Sequence, residues 1–305
     1  MKHSRINRSR PPVQRKGPRL YRRQMGTGFG FVLLSMLGFS LFFALPFFFS
    51  VLFSFSSSSG VFRFSGFSNY LELFESPSFR LALWNTFRFA AIGLPLLLVC
   101  ALGMALMLQY LFRRKMPGIS AWFALSLLPM VIPSSAIILF VQVLVERFGV
   151  INGLLVKWGM APVDFLNSPW AFWILMLLFL WKNTAYCSVI LLAGLRSIDR
   201  SIYEAAQLDG AGTFQAFRYL TLVQLVPFLF FSIVMGVMGI FKIFRESYLL
   251  MGDYPPDSAY MLQNFMNNNF LALNYQRLST ASVVFFLGIL LFFILMFRFS
   301  DRQRD

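Results

Sequence analysis

The sequence predicts an all-α integral membrane protein that crosses the bilayer six times with both ends on the cytoplasmic side. Three observations predict it. Hydrophobic types make up 58% of the 305 residues and charged types only 13%, against about 25% charge in a globular domain. Phe occurs 39 times, more than a water-facing surface can hide, so lipid is the expected outer solvent. The apolar residues gather into six long runs, and the basic residues sit at the ends of those runs with a bias to one side.

Each run is long enough to cross roughly 30 Å of hydrocarbon as a helix. The first covers about Phe29 to Phe53, with Pro46 inside it. The second covers about Phe87 to Leu111, and the third about Ile119 to Val145, including Pro129 and Pro133. The fourth is about Ala171 to Leu195, the fifth about Leu225 to Phe244, and the last about Thr280 to Phe297. Proline is tolerated in such helices when neighbours re-satisfy the freed backbone groups.

Nine of the first 25 residues are Lys or Arg. The apolar run after them exceeds a signal-peptide core and has no clear small-residue cleavage site, so a basic arm and an uncleaved first span are expected. With that arm in the cytoplasm, 18 basic residues fall on the cytoplasmic side and 8 outside, and Lys182 remains within the fourth run. This split favours both termini inside. The expected organisation is a basic tail over 1–27, a first span and external loop over 28–80, a five-helix transmembrane domain over 81–298, and a short tail over 299–305.

The formal charge of +15 belongs to this membrane pattern, and no nucleic-acid partner is expected. Cys100 and Cys187 both lie in apolar runs and the one His, His3, lies in the basic arm. Neither a disulfide framework nor a metal centre is expected. No GxxxxGK[ST] phosphate loop is present. No catalytic residue and no cofactor are expected.

Three polar segments are assigned outside: 54–87, 146–169 and 245–279. The first is expected to hold a short surface helix at Tyr70 to Phe74. The last, rich in Asn and aromatic residues, suits a polar ligand or a docked protein, and equally an ordinary solvated loop. The cytoplasmic segment between the fourth and fifth runs reads LRSIDRSIYEAAQLDGAGTFQAFRYLTLVQLVP. Ser201 and Glu204 have capping-box spacing, Gly210 marks a turn, and a second helical piece near Thr213 presents Phe214, Phe217 and Leu220 or Thr221. From the residues alone this is a compact amphipathic knuckle.

That knuckle carries a family resemblance. EAAQLDGA at Glu204 to Ala211, followed by Leu220 and Leu222, resembles the EAA loop of ABC importer permeases, with Val223 at the usual proline position. Further matches run in order along the chain: Phe67, Asn69, Tyr70, Phe79, Asn85 and Thr86 ahead of the second run, FGVINGLL at Phe148 to Leu155, and LAGLRSIDRSIYEAA at Leu192 to Ala206, with Asp199 replacing another proline. The set resembles the maltose/glycerol-phosphate class of sugar permease subunits. The resemblance implies a type I ABC importer permease fold in a bacterial cell membrane, with a coupling loop at 196–223. It implies that Glu204, Ala205, Ala206, Asp209 and Gly210 meet a cytoplasmic ATPase dimer. It further implies a second permease subunit, an extracellular solute-binding protein and a carbohydrate substrate. The same machine importing glycerol phosphate or another small polar solute is the near alternative, and an ion-coupled secondary transporter the distant one.

Two clusters are candidates for the solute path. Lys182, beside Asn183 in the fourth run, costs roughly 2.5–3.5 kcal/mol at a helix centre and must face a partner, a cavity or an interface. At the end of the fifth run Phe241, Arg245 and Glu246 place charged groups among aromatics, which suits a sugar ring or a sugar acid and equally suits helix packing. Lys242 and Glu246 are four apart and could pair along one helix.

Overall fold

A computed structural model of the chain describes residues 32–57 and 63–301, with side chains described through residue 298. The basic arm, the start of the first run, Ser58 to Phe62 and residues 302–305 lie outside the described residues. These divide after Phe53 into two units. Among them, six helical stretches are long and apolar enough to span a membrane, and the molecule is a multi-pass membrane protein.

The first unit holds helix α1, Val32–Ser54, as far as Phe53. Pro46 has no N–H and its ring would crowd the carbonyl four residues back. The turn ahead of it widens into a π-helix over Ser40–Ala44, where Leu45 N–H bonds Ser40 O.

The second unit opens with an antiparallel bridge between Ser56 and Phe64, then α2, Ser68–Glu75. The next helix, α3, spans Pro77–Arg113 and begins ten residues before the expected Phe87. Pro77 at its first turn is preorganised for a helix start. Phe79, Ala82 and Asn85 give that extra length a buried face. At 1.5 Å per residue the 37 residues reach about 55 Å, so α3 runs well past the hydrocarbon.

The expected third run, Ile119 to Val145, is a broken helix. Its pieces are α4 (Ile119–Ser126), α5 (Leu128–Val131) and α6 (Ser134–Val145). Extended backbone at Ile132 and Pro133 separates α5 from α6. By composition the apolar stretch continues over Ser134–Lys157. Geometry ends it at Glu146, whose ψ of 160° leaves the helix, and α7 (Val150–Lys157) is a separate segment. Asn152 holds the following loop by donating to Glu146 O and Val163 O and accepting from Val163 N–H.

The fourth crossing, α8, spans Trp170–Ser197, close to expectation. Helix α9, Arg200–Leu208, follows it. The fifth, α10, runs Thr213–Met251 and passes through a π-helical turn at Phe217–Thr221. It exceeds the expected Leu225–Phe244 at both ends, which brings Glu246 inside a helix. After Gly252, at φ +75°, come α11 (Leu262–Leu271) and α12 (Tyr275–Asp301).

The core lies between α3, α8 and α10. Phe89, Leu97 and Leu108 pack with Phe172, Leu175, Phe179 and Leu191, closed by Leu225, Ile240 and Ile243. Small residues allow the close approach, since helix association in lipid depends on packing rather than water exclusion. A Cβ at Gly194 would lie 2.6 Å from the Phe228 ring, and one at Gly236 would lie 2.8 Å from Leu94.

Candidate functional site

Two places combine polar chemistry with access. One is helix α9 and its flanks. Asp199, in the extended conformation, caps the helix by accepting from Ser201 N–H at 3.0 Å. The cap therefore forms at Asp199, two residues ahead of the expected Ser201. An aspartate replaces one helix-starting device, proline, with another. That N–H holds the Asp199 carboxyl below the usual carboxylate range. The cap's contribution is thus full above about pH 4 and fades as pH falls through the lowered value. Glu204 turns instead to Arg200, 3.1 Å away and four residues back. Both are exposed, so the pair adds little stability.

The helix ends in a Schellman motif. Gly210 N–H bonds Gln207 O, Ala211 N–H bonds Ala206 O, and Gly210 sits at φ +82°. Nothing crowds a Cβ there, so the backbone angle alone demands glycine. Gly210→Ala is expected to cost about 1 kcal/mol locally, read as faster amide hydrogen exchange at Gln207 to Ala211 and unchanged exchange in α8. Tyr203 ties α9 to the π-turn through a 2.8 Å hydrogen bond with the buried Thr221. Facing away are Leu208, 89% exposed, and Phe214, 72% exposed. Ala205 and Asp209 are exposed beside them, with Ala206 half-buried.

The second place is a cleft of about 330 Å³ at the break between α5 and α6, walled by α8 and α10. At its base Lys182 Nζ lies 2.6 Å from Glu246 Oε1 and donates to Ser134 Oγ at 2.7 Å. Ser134 in turn donates to the same carboxylate oxygen at 2.8 Å. The Lys182 side chain is 22% exposed and that of Glu246 only 4%. The lysine flagged by its cost in the fourth run therefore has an acidic partner and also faces the cleft. The pairing of Glu246 with Lys182 replaces the local Lys242–Glu246 pair. Glu246 sits on the buried stripe of α10 with Ile243, Ser247 and Leu250, whereas Lys242 and Arg245 are exposed.

The structure brings Lys182, Asn183, Arg245 and Glu246 into one lining. Phe241 is not part of it, and its ring meets Phe285 of α12 edge-on at 4.6 Å. Sequence reasoning missed Ser134, Met130, Tyr186, Met235, Met238 and Gly239, which also bear on the cleft. Part of that set was readable as a stripe, since Met235, Met238, Lys242 and Arg245 recur at helical spacing on α10. Ser134 was not, because its place depends on the break at Pro133. Gly239 makes room for Asn183, where a Cβ would lie 2.5 Å from Oδ1. Among the described residues no three His, Cys, Asp or Glu side chains gather to hold a metal.

Residues 103–305 match the model of the binding-protein-dependent transport system inner membrane component family. The sulfoquinovosyl glycerol transport system permease protein SmoG of Agrobacterium fabrum is 34% identical over 241 residues, covering 77% of this chain and 76% of that one. The trehalose/maltose transport system permease protein MalF of Thermococcus litoralis is 28% identical over 250 residues, covering 79% and 81%. A solved bacterial ABC transporter involved in the import of the acidic polysaccharide alginate shares the fold, with a TM-score of 0.75 at 24% identity, covering 93% of this chain and 99% of that one.

Proposed function

The chain belongs to the binding-protein-dependent transport system inner membrane component family and is a permease subunit of an ABC importer for a sugar or related polar solute; we propose that its solute is a carbohydrate, mono- or oligosaccharide. The observation that carries the proposal is the polar cleft sunk among apolar helices at the α5–α6 break. Sugar recognition needs hydrogen-bonding groups at membrane depth, and those are costly unless they serve a solute or each other. Two relatives whose names specify sugars or a sugar glycoside support the reading.

In this proposal α9 faces the cytoplasm, and Glu204, Ala205, Ala206, Asp209 and Gly210 form the knuckle that an ATPase dimer grips. Energy comes from that ATPase, since the chain is a transport component rather than an enzyme. A second permease completes the path and a solute-binding protein delivers cargo to the outer loops. Both termini lie inside, as the basic-residue split favours.

Reconstitution of the complete importer in proteoliposomes tests this. Uptake of a labelled carbohydrate should require ATP on the α9 side and survive ionophores that collapse ion gradients. Uptake that ignores ATP and stops with the ionophore would establish ion coupling instead. ATP-driven uptake of glycerol phosphate with no carbohydrate transported would establish the other alternative.

A further inference from the structure

We propose that the cleft selects a carbohydrate bearing an oxyanion (a carboxylate, sulfonate or phosphate) and that Lys242 and Arg245 are the residues that pair with it. The inference rests on the permease reading above and names the substrate class of the same site. Its first support is the charge in the lining. Four ionic side chains are present: Lys182, Lys242, Arg245 and Glu246. Glu246 is taken by Lys182 at 2.6 Å and by Ser134. Among the described residues neither Lys242 nor Arg245 forms an ion pair. The cleft therefore presents two uncompensated positive charges, three residues apart on one turn of α10.

An uncharged sugar entering here would strip water from both cations and return no charge to them, which is unfavourable. An oxyanion replaces that water. In a cleft walled by low-dielectric helices its attraction to both cations is several-fold stronger than in bulk water. Arg245 supplies a planar fork that fits a carboxylate, sulfonate or phosphate through two parallel bonds, and Lys242 supplies a mobile point charge beside it. Cations that only anchor a helix end at the headgroups would not need to share a concavity with a buried ion pair.

The rest of the lining suits the carbohydrate part. Asn183 donates Nδ2 to Phe179 O at 2.8 Å, which leaves its carbonyl oxygen and second N–H for hydroxyls. Tyr186 brings an aromatic face and a hydroxyl, and Met235 and Met238 bring adaptable apolar surface. The volume of about 330 Å³ stands at the small end of ligand sites.

The test uses the complete importer in proteoliposomes with glucuronate, glucose 6-phosphate and 6-sulfoglucose as acidic probes and glucose, maltose and lactose as neutral ones. ATP-driven uptake should favour at least one acidic probe. Lys242→Gln and Arg245→Gln should each raise its KM about tenfold or more, while Lys242→Arg should largely keep it and Arg245→Lys, which keeps the charge but loses the fork, should raise it less than Arg245→Gln does. Should the glutamine variants fail to assemble, the unaltered complex still decides, because KM for the acidic probe should climb with ionic strength. Neutral-only uptake overturns this inference and leaves the carbohydrate reading standing. Acidic uptake indifferent to the glutamine variants, or to salt where those fail to assemble, also overturns the inference alone. No uptake of any probe overturns both.

Discussion

Replacing Lys182 with Met is expected to destabilise the permease by about 3 kcal/mol, the low end of what breaking a buried ion pair costs. The Glu246 carboxylate is 4% exposed and would keep only the Ser134 hydroxyl as partner. The low end applies because Lys182 itself is 22% exposed, so water reaches one side of the pair. A typical point mutation costs about 1 kcal/mol, so the effect stands clear of the background. Lys182→Met with Glu246→Met should recover most of the loss, since a buried pair replaced by apolar groups of similar volume is often neutral or better. Thermal unfolding of the purified complex for the two single variants and the double one measures the coupling directly. A Lys182→Met variant as stable as the parent would show that the pair holds nothing together. Uptake then separates structure from transport. A stable double variant that no longer transports places the pair in the solute path, whereas one that transports normally makes it a helix clamp.

The six spans were legible because lipid imposes apolar runs of a minimum length, and because basic residues punctuate them. Their ends were less so. Helix α3 begins at Pro77 because its first turns pack on α11 through Phe79 and Phe265, a tertiary contact that hydropathy does not register. The break in the third run had its signals in Pro129 and Pro133, yet proline alone does not say whether a membrane helix bends or stops. At the cleft, the cost of a mid-membrane Lys182 was readable, but its partner lies 64 residues away. The nearer Lys242 offered a simpler local pair, and only the buried stripe of α10 decides against it.

The residues that carried the family resemblance have a different lesson. Asn69 donates to Ser56 O, Asn85 to the carbonyls of Asp257 and Tyr260, and Thr86 Oγ1 accepts from Leu262 N–H. Asn152 works in the same way between Glu146 and Val163. These side chains satisfy backbone groups in the loops that join the spans, where buried polar groups otherwise go unpaired at a cost. They identify the fold, and none of them lines the cleft. The residues that carry the family resemblance and those that line the cleft are thus separate sets.

Leu208→Asp together with Phe214→Asp is expected to release the ATPase from the permease while leaving the permease folded. The two side chains are 89% and 72% exposed, so within this chain the substitutions should cost no more than about 0.5 kcal/mol each. Their exposure is conspicuous because α9 and the turn after it are otherwise well made. Asp199 caps one end, the Schellman turn at Gly210 closes the other, and Tyr203 anchors the helix to Thr221. A short helix braced at three points, with its apolar side chains turned outward, is preorganised to dock, so binding loses little to ordering. An apolar anchor seated in a partner's groove is worth about 2 kcal/mol or more, so losing either one should weaken association about thirtyfold. Losing both and adding two negative charges should abolish co-purification. Ser201→Ala, on the same helix outside that apolar pair, serves as the control and should leave the complex intact. Hydrogen exchange across α9 reports folding independently of binding. An ATPase that stays bound to a normally folded double variant would remove α9 and its flank from the coupling interface, and with them the mechanical link between ATP hydrolysis and the cleft.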